Sequence, residues 1–258
     1  MAKLHFFFES VCRKMQKVAK FAHMKRLILL FALACGLSVG ARADGRPEVA
    51  VLGDSYSTFE GCVEPAGNAV WYFNGGHEHS DVREAGQTWW RILTDDPSAG
   101  LRLGVNNSYS GATICNTGYE GADYSDRSFI TRMNNLGNPD IILVFGATND
   151  SWAGSPVGEY IYSDWTPARL YSFRPALARL FYGLRELYPD AEVWFILNSD
   201  LKPEIVGSVE TISARYGVPV IALHDIEKDW GHPTAAGMRA IAAQVKKALT
   251  PSLTQKQK

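Results

Sequence analysis

The chain has 258 residues, with 26 Lys and Arg against 27 Asp and Glu, and 46% of its residues are apolar. That is the composition of a folded chain with a sizeable core, and it excludes a low-complexity or disordered protein.

Residues 1–43 read as a leader. Met24-Lys25-Arg26 opens a basic stretch, Leu27 to Leu33 forms an apolar run too short to cross a bilayer stably, and Ala41-Arg42-Ala43 gives a small-x-small cleavage pattern before Asp44. This is the plan of a secretory signal peptide with cleavage after Ala43. Met24 then reads as the true start, and the upstream segment with its Phe6-Phe7-Phe8 run as a mis-assigned extension. Lipid anchoring through Cys35 is disfavoured, because Ala32-Leu33-Ala34 makes a poor lipobox. The expected product, residues 44–258, is exported to the periplasm or secreted. It keeps 18 basic and 26 acidic residues, a net of −8. With no basic patch left, a nucleic-acid partner has no electrostatic basis, and no membrane span is expected after cleavage. Two cysteines remain, Cys62 and Cys115. In an exported protein they could pair or stay as thiols, and the sequence leaves both open.

Five short apolar runs follow in order: Val49–Leu52, Leu101–Val105, Ile141–Phe145, Val193–Leu197 and Val218–Leu223. Each is near-continuous rather than alternating, as expected for strands covered on both faces. Helical spacing appears over Leu170–Tyr188, Pro203–Tyr216 and Thr234–Leu249, with Thr234 placed to cap the last. The alternation predicts one α/β domain, a three-layer α/β/α fold around a parallel five-stranded, flavodoxin-like sheet. Residues 60–88 and 147–168 are too irregular for this scheme and rich in Gly, Trp, Tyr and Asn. Connections of that length are usually functional.

Chemistry-bearing residues fall at the strand exits. Gly53-Asp54-Ser55 follows the first run, Asn107-Ser108-Tyr109-Ser110-Gly111 the second, Gly146-Ala147-Thr148-Asn149-Asp150 the third, and Asp229-Trp230-Gly231-His232-Pro233 the fifth. In an open parallel sheet all of these lie along one rim. Together and in this order the four blocks resemble the SGNH/GDSL hydrolase family, over residues 48–248. The resemblance implies a serine esterase without a cofactor. Its catalytic residues would be Ser55 as nucleophile, His232 as base and Asp229 as the acid that orients it. Its oxyanion hole would be the backbone N–H groups of Ser55 and Gly111 with the Asn149 amide. The chain departs from the family in having Ala147 where many relatives place glycine. Ser57 also breaks the Gly-x-Ser-x-Gly elbow, which counts against the α/β-hydrolase fold.

The chemistry suits these roles. A serine hydroxyl needs a base to take its proton during attack, and histidine titrates near working pH. A carboxylate on the other ring nitrogen would fix the tautomer, and Asp229 sits three residues before His232. Asp225 and Glu227 are close enough in sequence to replace it. Asp54 reads as a turn residue. The bland alternatives are an N-cap for Ser55, a turn glycine for Gly111 and an Asx-turn for Asn149.

Rings crowd the two irregular segments. Trp71, Tyr72, Trp152 and Trp165 are the candidate substrate contacts, since sugar faces stack on rings and sugar hydroxyls need polar neighbours. The sequence therefore predicts removal of acetyl or acyl groups from carbohydrate, with no metal. The alternatives are lipid or aryl-ester hydrolysis and a non-catalytic glycan-binding module. His77-Glu78-His79 lacks an obvious third ligand for zinc.

Overall fold

In the computed structural model, residues 45–256 are described; the leader, the proposed start at Met24 and Cys35 lie outside them. Five parallel strands form the central sheet: β1 (Glu48–Gly53), β2 (Arg102–Ser108), β3 (Ile141–Gly146), β4 (Glu192–Leu197) and β5 (Val220–Ala222). Their order is β2-β1-β3-β4-β5. Two-residue strands β6 (Lys228–Asp229) and β7 (His232–Pro233) form a separate antiparallel hairpin.

The near-continuous apolar runs are explained by two cores. Val49 and Val51 of β1 point into one, Ala50 and Leu52 into the other. On the first face lie α1 (Trp89–Asp95) and the last helix, α6 (Ala235–Lys256). The second face carries α2 (Phe129–Arg132), α4 (Phe173–Leu187) and α5 (Pro203–Tyr216). A short helix, α3 (Thr148–Ala153), leaves β3 at the rim. Fully burying each large apolar side chain contributes about 1.5–3 kcal/mol, so both layers hold the sheet firmly.

Two boundaries differ from the sequence reading. Helical spacing from Leu170 suggested one helix, yet residues Pro167–Tyr171 form a separate 3-10 turn and Ser172 is extended (φ −119°, ψ 145°). Pro175 gives the reason: without an N–H it fits only the first turn of a helix, so α4 must start just before it. The fifth strand shrinks to three residues. Thr234 does cap α6, accepting from Gly237 N at 3.1 Å. Cys62 and Cys115 are both free thiols, one packed against each core on opposite faces of the sheet.

This strand order reverses direction at β1, whose two neighbours are β2 and β3. Ligands of such sheets bind in the crevice outside the strand C-termini at that reversal. The exits of β1, β2 and β3 therefore converge where the sequence placed its first three blocks.

Candidate active site

Ser55 leaves β1 through a tightly closed turn. A Cβ on Gly53 would lie 2.5 Å from Ser108 Oγ and 2.6 Å from Ser57 Cβ, so only glycine lets the turn sit against β2. Asp54 caps the 3-10 turn Ser55–Ser57 by accepting from Tyr56 N at 3.0 Å. Its carboxyl is wholly buried, and desolvation raises it to about 7. The segment is a single 3-10 turn, too short to carry a helix dipole behind Ser55. In its place lies the buried Arg132, whose guanidinium donates to Gly53 O at 3.0 Å and to Asn107 O. One cation thus ties the ends of β1 and β2 together beneath the serine.

His232 arrives on the hairpin. Trp230 (φ 48°) and Gly231 (φ 77°) join the paired residues Asp229 and His232, giving the two left-handed positions of a type I′ turn. This places His232 Nε2 3.0 Å from Ser55 Oγ, across 177 residues of chain. Nδ1 lies 3.2 Å from the Trp230 carbonyl oxygen. A carbonyl only accepts, so Nδ1 carries the proton and Nε2 is left to accept from the serine hydroxyl.

Asp229 does not reach the imidazole. Its side chain is exposed and makes no hydrogen bond among the described residues, while the tight turn brings the Trp230 carbonyl to Nδ1 instead. The two substitutes are also engaged elsewhere. Asp225 pairs with His224 at 2.9 Å, and Glu227 accepts from Thr234 Oγ1 at 2.6 Å. With no carboxylate to hold a proton on the ring, burial lowers His232 to about 4, opposed by the Trp230 carbonyl and helped by nearby His77. The imidazole is neutral at physiological pH.

Three candidate donors follow the exits of β1, β2 and β3. The N–H groups of Ser55 and Gly111 have no protein acceptor among the described residues. Gly111 is left-handed (φ 82°) with nothing within 4 Å of where a Cβ would stand. Asn149 donates from Nδ2 to Ala112 O at 3.0 Å, and Tyr119 donates to its Oδ1 at 2.8 Å. Because Ala112 O can only accept, the orientation of this amide is unambiguous, with the second Nδ2 hydrogen unspent. Ala147 holds a left-handed conformation (φ 75°) just before, the geometry glycine adopts without strain.

The rings divide unevenly. Trp71 stacks flat on His232, with centroids 3.7 Å apart and planes at 8°. Trp152 meets the same imidazole edge-on at 5.7 Å and stays 42% exposed. Tyr72 is fully buried and uses its hydroxyl on Pro233 O at 2.9 Å, so it braces the hairpin rather than facing a ligand. Trp165 packs against Tyr182 of α4 at 5.2 Å and belongs to the scaffold. Trp230, outside both irregular segments, is 70% exposed and stacks on His79 at 4.5 Å. His77 lies against Trp71 and Phe73. Other residues missed in the sequence are Tyr56, Arg132, Tyr119 and Asn198. Nothing in local pattern marks a lone tyrosine or arginine as a partner of a site assembled from distant segments.

The GDSL-like Lipase/Acylhydrolase family profile matches residues 47–249. Among solved structures, a Bacteroides ovatus protein designated a GDSL-like lipase is 51% identical over 80% of this chain and 99% of its own, with a TM-score of 0.78. A counterpart from Bacteroides uniformis is 54% identical over 80% and 97%, also with a TM-score of 0.78. A family two carbohydrate esterase from Clostridium thermocellum, solved with cellohexaose, shares the fold at 16% identity over 81% and 65%, with a TM-score of 0.53. No curated protein matches this chain. The four ordered blocks, the five-stranded parallel sheet and the matched span agree, and the chain belongs to the GDSL-like lipase/acylhydrolase family of ester hydrolases.

Proposed function

We propose that this protein is an exported serine esterase that removes acetyl or other short acyl groups from carbohydrate through a Ser55–His232 dyad. The observation that carries the reading is the 3.0 Å contact between Ser55 Oγ and His232 Nε2, with the imidazole neutral and its Nδ1 proton engaged. As Ser55 attacks the ester carbonyl, Nε2 takes its proton. The carbonyl oxygen becomes negative and is met by the N–H groups of Ser55 and Gly111 and by Asn149 Nδ2, each donor worth about 3–4 kcal/mol in such sites. Collapse expels the sugar alkoxide, which the imidazolium protonates. Water then attacks the acyl-enzyme by the same steps in reverse. The carbonyl of Trp230 does the orienting that a triad acid would do, and the imidazolium is stabilised by a dipole instead of a full charge.

The carbohydrate reading rests on Trp230. A tryptophan 70% exposed at φ 48° bears both the cost of exposed apolar surface and that of a left-handed backbone. Any residue could supply the carbonyl that faces His232, so the side chain itself calls for a role, and a flat indole beside the base suits a sugar face. Trp152 (42% exposed) and Phe73 (37% exposed) extend the ring surface around it. Export is proposed from the signal-like segment ending at Ala43.

The test compares wild type with Ser55→Ala on p-nitrophenyl acetate, on long-chain p-nitrophenyl esters and on a panel of acetylated polysaccharides, with acetate release as the readout. Wild-type release from polysaccharide, abolished in Ser55→Ala, supports the proposal. Preference for long acyl chains would replace carbohydrate by lipid as the substrate, and polysaccharide binding without turnover would make the protein a glycan-binding module.

A further inference from the structure

An imidazole held by one neutral carbonyl at 3.2 Å is only as well placed as the turn that carries both groups. That turn, residues 229–232, sits on a two-residue hairpin outside the main sheet. Two-stranded hairpins are marginal by themselves, so something else must fix it against the serine.

Tyr56, the neighbour of Ser55, is fully buried and spans the gap. Its hydroxyl donates to Gly231 O, the carbonyl of the peptide that enters His232. The Tyr56 hydroxyl oxygen accepts from Asn198 Nδ2 at 3.1 Å, and that amide also faces Thr148 Oγ1 at 3.3 Å. Asn198 follows β4, and Thr148 opens α3 immediately before Asn149. One phenol therefore joins four segments: the β1 exit that bears Ser55, the β3 exit that bears Asn149, the β4 exit and the His232 turn. Its ring lies 5.5 Å from the imidazole and 5.5 Å from the Phe145 ring. The donor directions are fixed, since Gly231 O can only accept and an amide nitrogen can only donate.

We infer that Tyr56 is a positioning residue for catalysis: its hydroxyl, aligned by Asn198, locks the His232 turn at hydrogen-bonding distance from Ser55 in place of an orienting carboxylate. The inference rests on His232 being the base. Tyr56 makes no contact with the reacting atoms and acts through Gly231. Burial pushes the phenol well above its ordinary range, so it remains a donor at every working pH. The titratable groups beside the His232 ring are Tyr56 and His77; Asp229, Asp225 and Glu227 do not contact it.

Tyr56→Phe removes the hydroxyl and keeps the ring. Measured on p-nitrophenyl acetate, kcat should fall about tenfold or more with KM within about twofold, the signature of lost placement and not of lost binding. A loosened imidazole is also better hydrated, so the acid limb of kcat/KM should move upward by about one pH unit. A hydroxyl that served only the core would lower the thermal midpoint and leave both readouts unchanged. That result overturns the inference. Asn198→Ala keeps the Tyr56–Gly231 bond but frees the phenol, and should lower kcat by about threefold or more without changing KM. It serves as the deciding variant if Tyr56→Phe does not fold, and wild-type kcat in it would then refute the locking role. Ser55→Ala in parallel separates the two failures. If it retains activity, the dyad reading falls; if it is dead while Tyr56→Phe matches wild type, only the role of Tyr56 falls.

Discussion

The imidazole of His232 lies flat on the indole of Trp71, centroids 3.7 Å apart, and the same ring reaches Ser55 Oγ at 3.0 Å. Stacking of this kind desolvates the base while leaving its edge free to accept a proton.

The first consequence is for pH. Burial holds His232 at about 4, and only the neutral imidazole can act as a base. The kcat/KM profile should therefore stay level from neutral pH to about 5 and fall only as pH passes through the value near 4. Stability follows the same sign. A folded-state value below the ordinary 6.5 favours the fold above pH 6.5, and that contribution is lost as pH falls towards 4. Trp71→Ala exposes the ring and should raise the acid limb towards 6.5; a pH-rate series on both proteins checks it.

The second concerns the acid. Asp229 has an exposed side chain without a hydrogen bond among the described residues. Asp229→Asn should leave kcat/KM within about twofold of wild type, where losing a true triad aspartate costs about 10⁴. Steady-state kinetics at pH 7 distinguish the two outcomes without ambiguity.

Gly53 tests the closeness of the turn. A methyl group there would meet Ser108 Oγ at 2.5 Å and Ser57 Cβ at 2.6 Å, in a region with no room to yield. Gly53→Ala should destabilise by about 1–3 kcal/mol, as overpacking does, and should lower kcat because the displaced segment carries Ser55. Urea denaturation and initial rates on the same preparation measure both.

Asn149 supplies the last prediction. Its Nδ2 is aimed by two contacts, a donation to Ala112 O and a bond accepted from Tyr119. Asn149→Ala should cost about 10²–10³ in kcat if the amide meets the developing oxyanion. Tyr119→Phe leaves the amide in place but less firmly oriented, so its loss should be smaller, about tenfold, with KM unchanged. Rank order between these variants, read from Michaelis curves, is the informative result.

Much of this was legible in the chain because some signals are local. The five apolar runs fell on the five strands, and Pro203–Tyr216 matched α5 end to end, since a proline start and Gly217 after it mark a helix without help from the rest of the fold. The break before α4 was also legible in Pro175, and helical spacing alone hid it. Asp229 misled for a different reason. Proximity in sequence to His232 suggested contact, but a type I′ turn brings a backbone carbonyl to Nδ1, and every residue has a carbonyl. Ring composition pointed to the two irregular segments without telling which rings would be buried: Tyr72 vanished into the hairpin brace and Trp165 into the α4 scaffold, while Trp230, outside both segments, emerged at the surface.

The sequence by itself determined the layered α/β architecture, the strand exits on which chemistry sits, and the serine, glycine, asparagine and histidine found there. The architecture and the strand exits follow from periodicity and turn chemistry, which act over a few residues; the four side chains were singled out by the resemblance of the ordered blocks to a known family. Only the tertiary structure decided that a carbonyl orients His232, that Trp71 covers it, and that Tyr56 and Arg132 tie the exits together. Such contacts join residues up to 175 positions apart, and hydrogen bonds of that span depend on how layers pack, which no local pattern encodes.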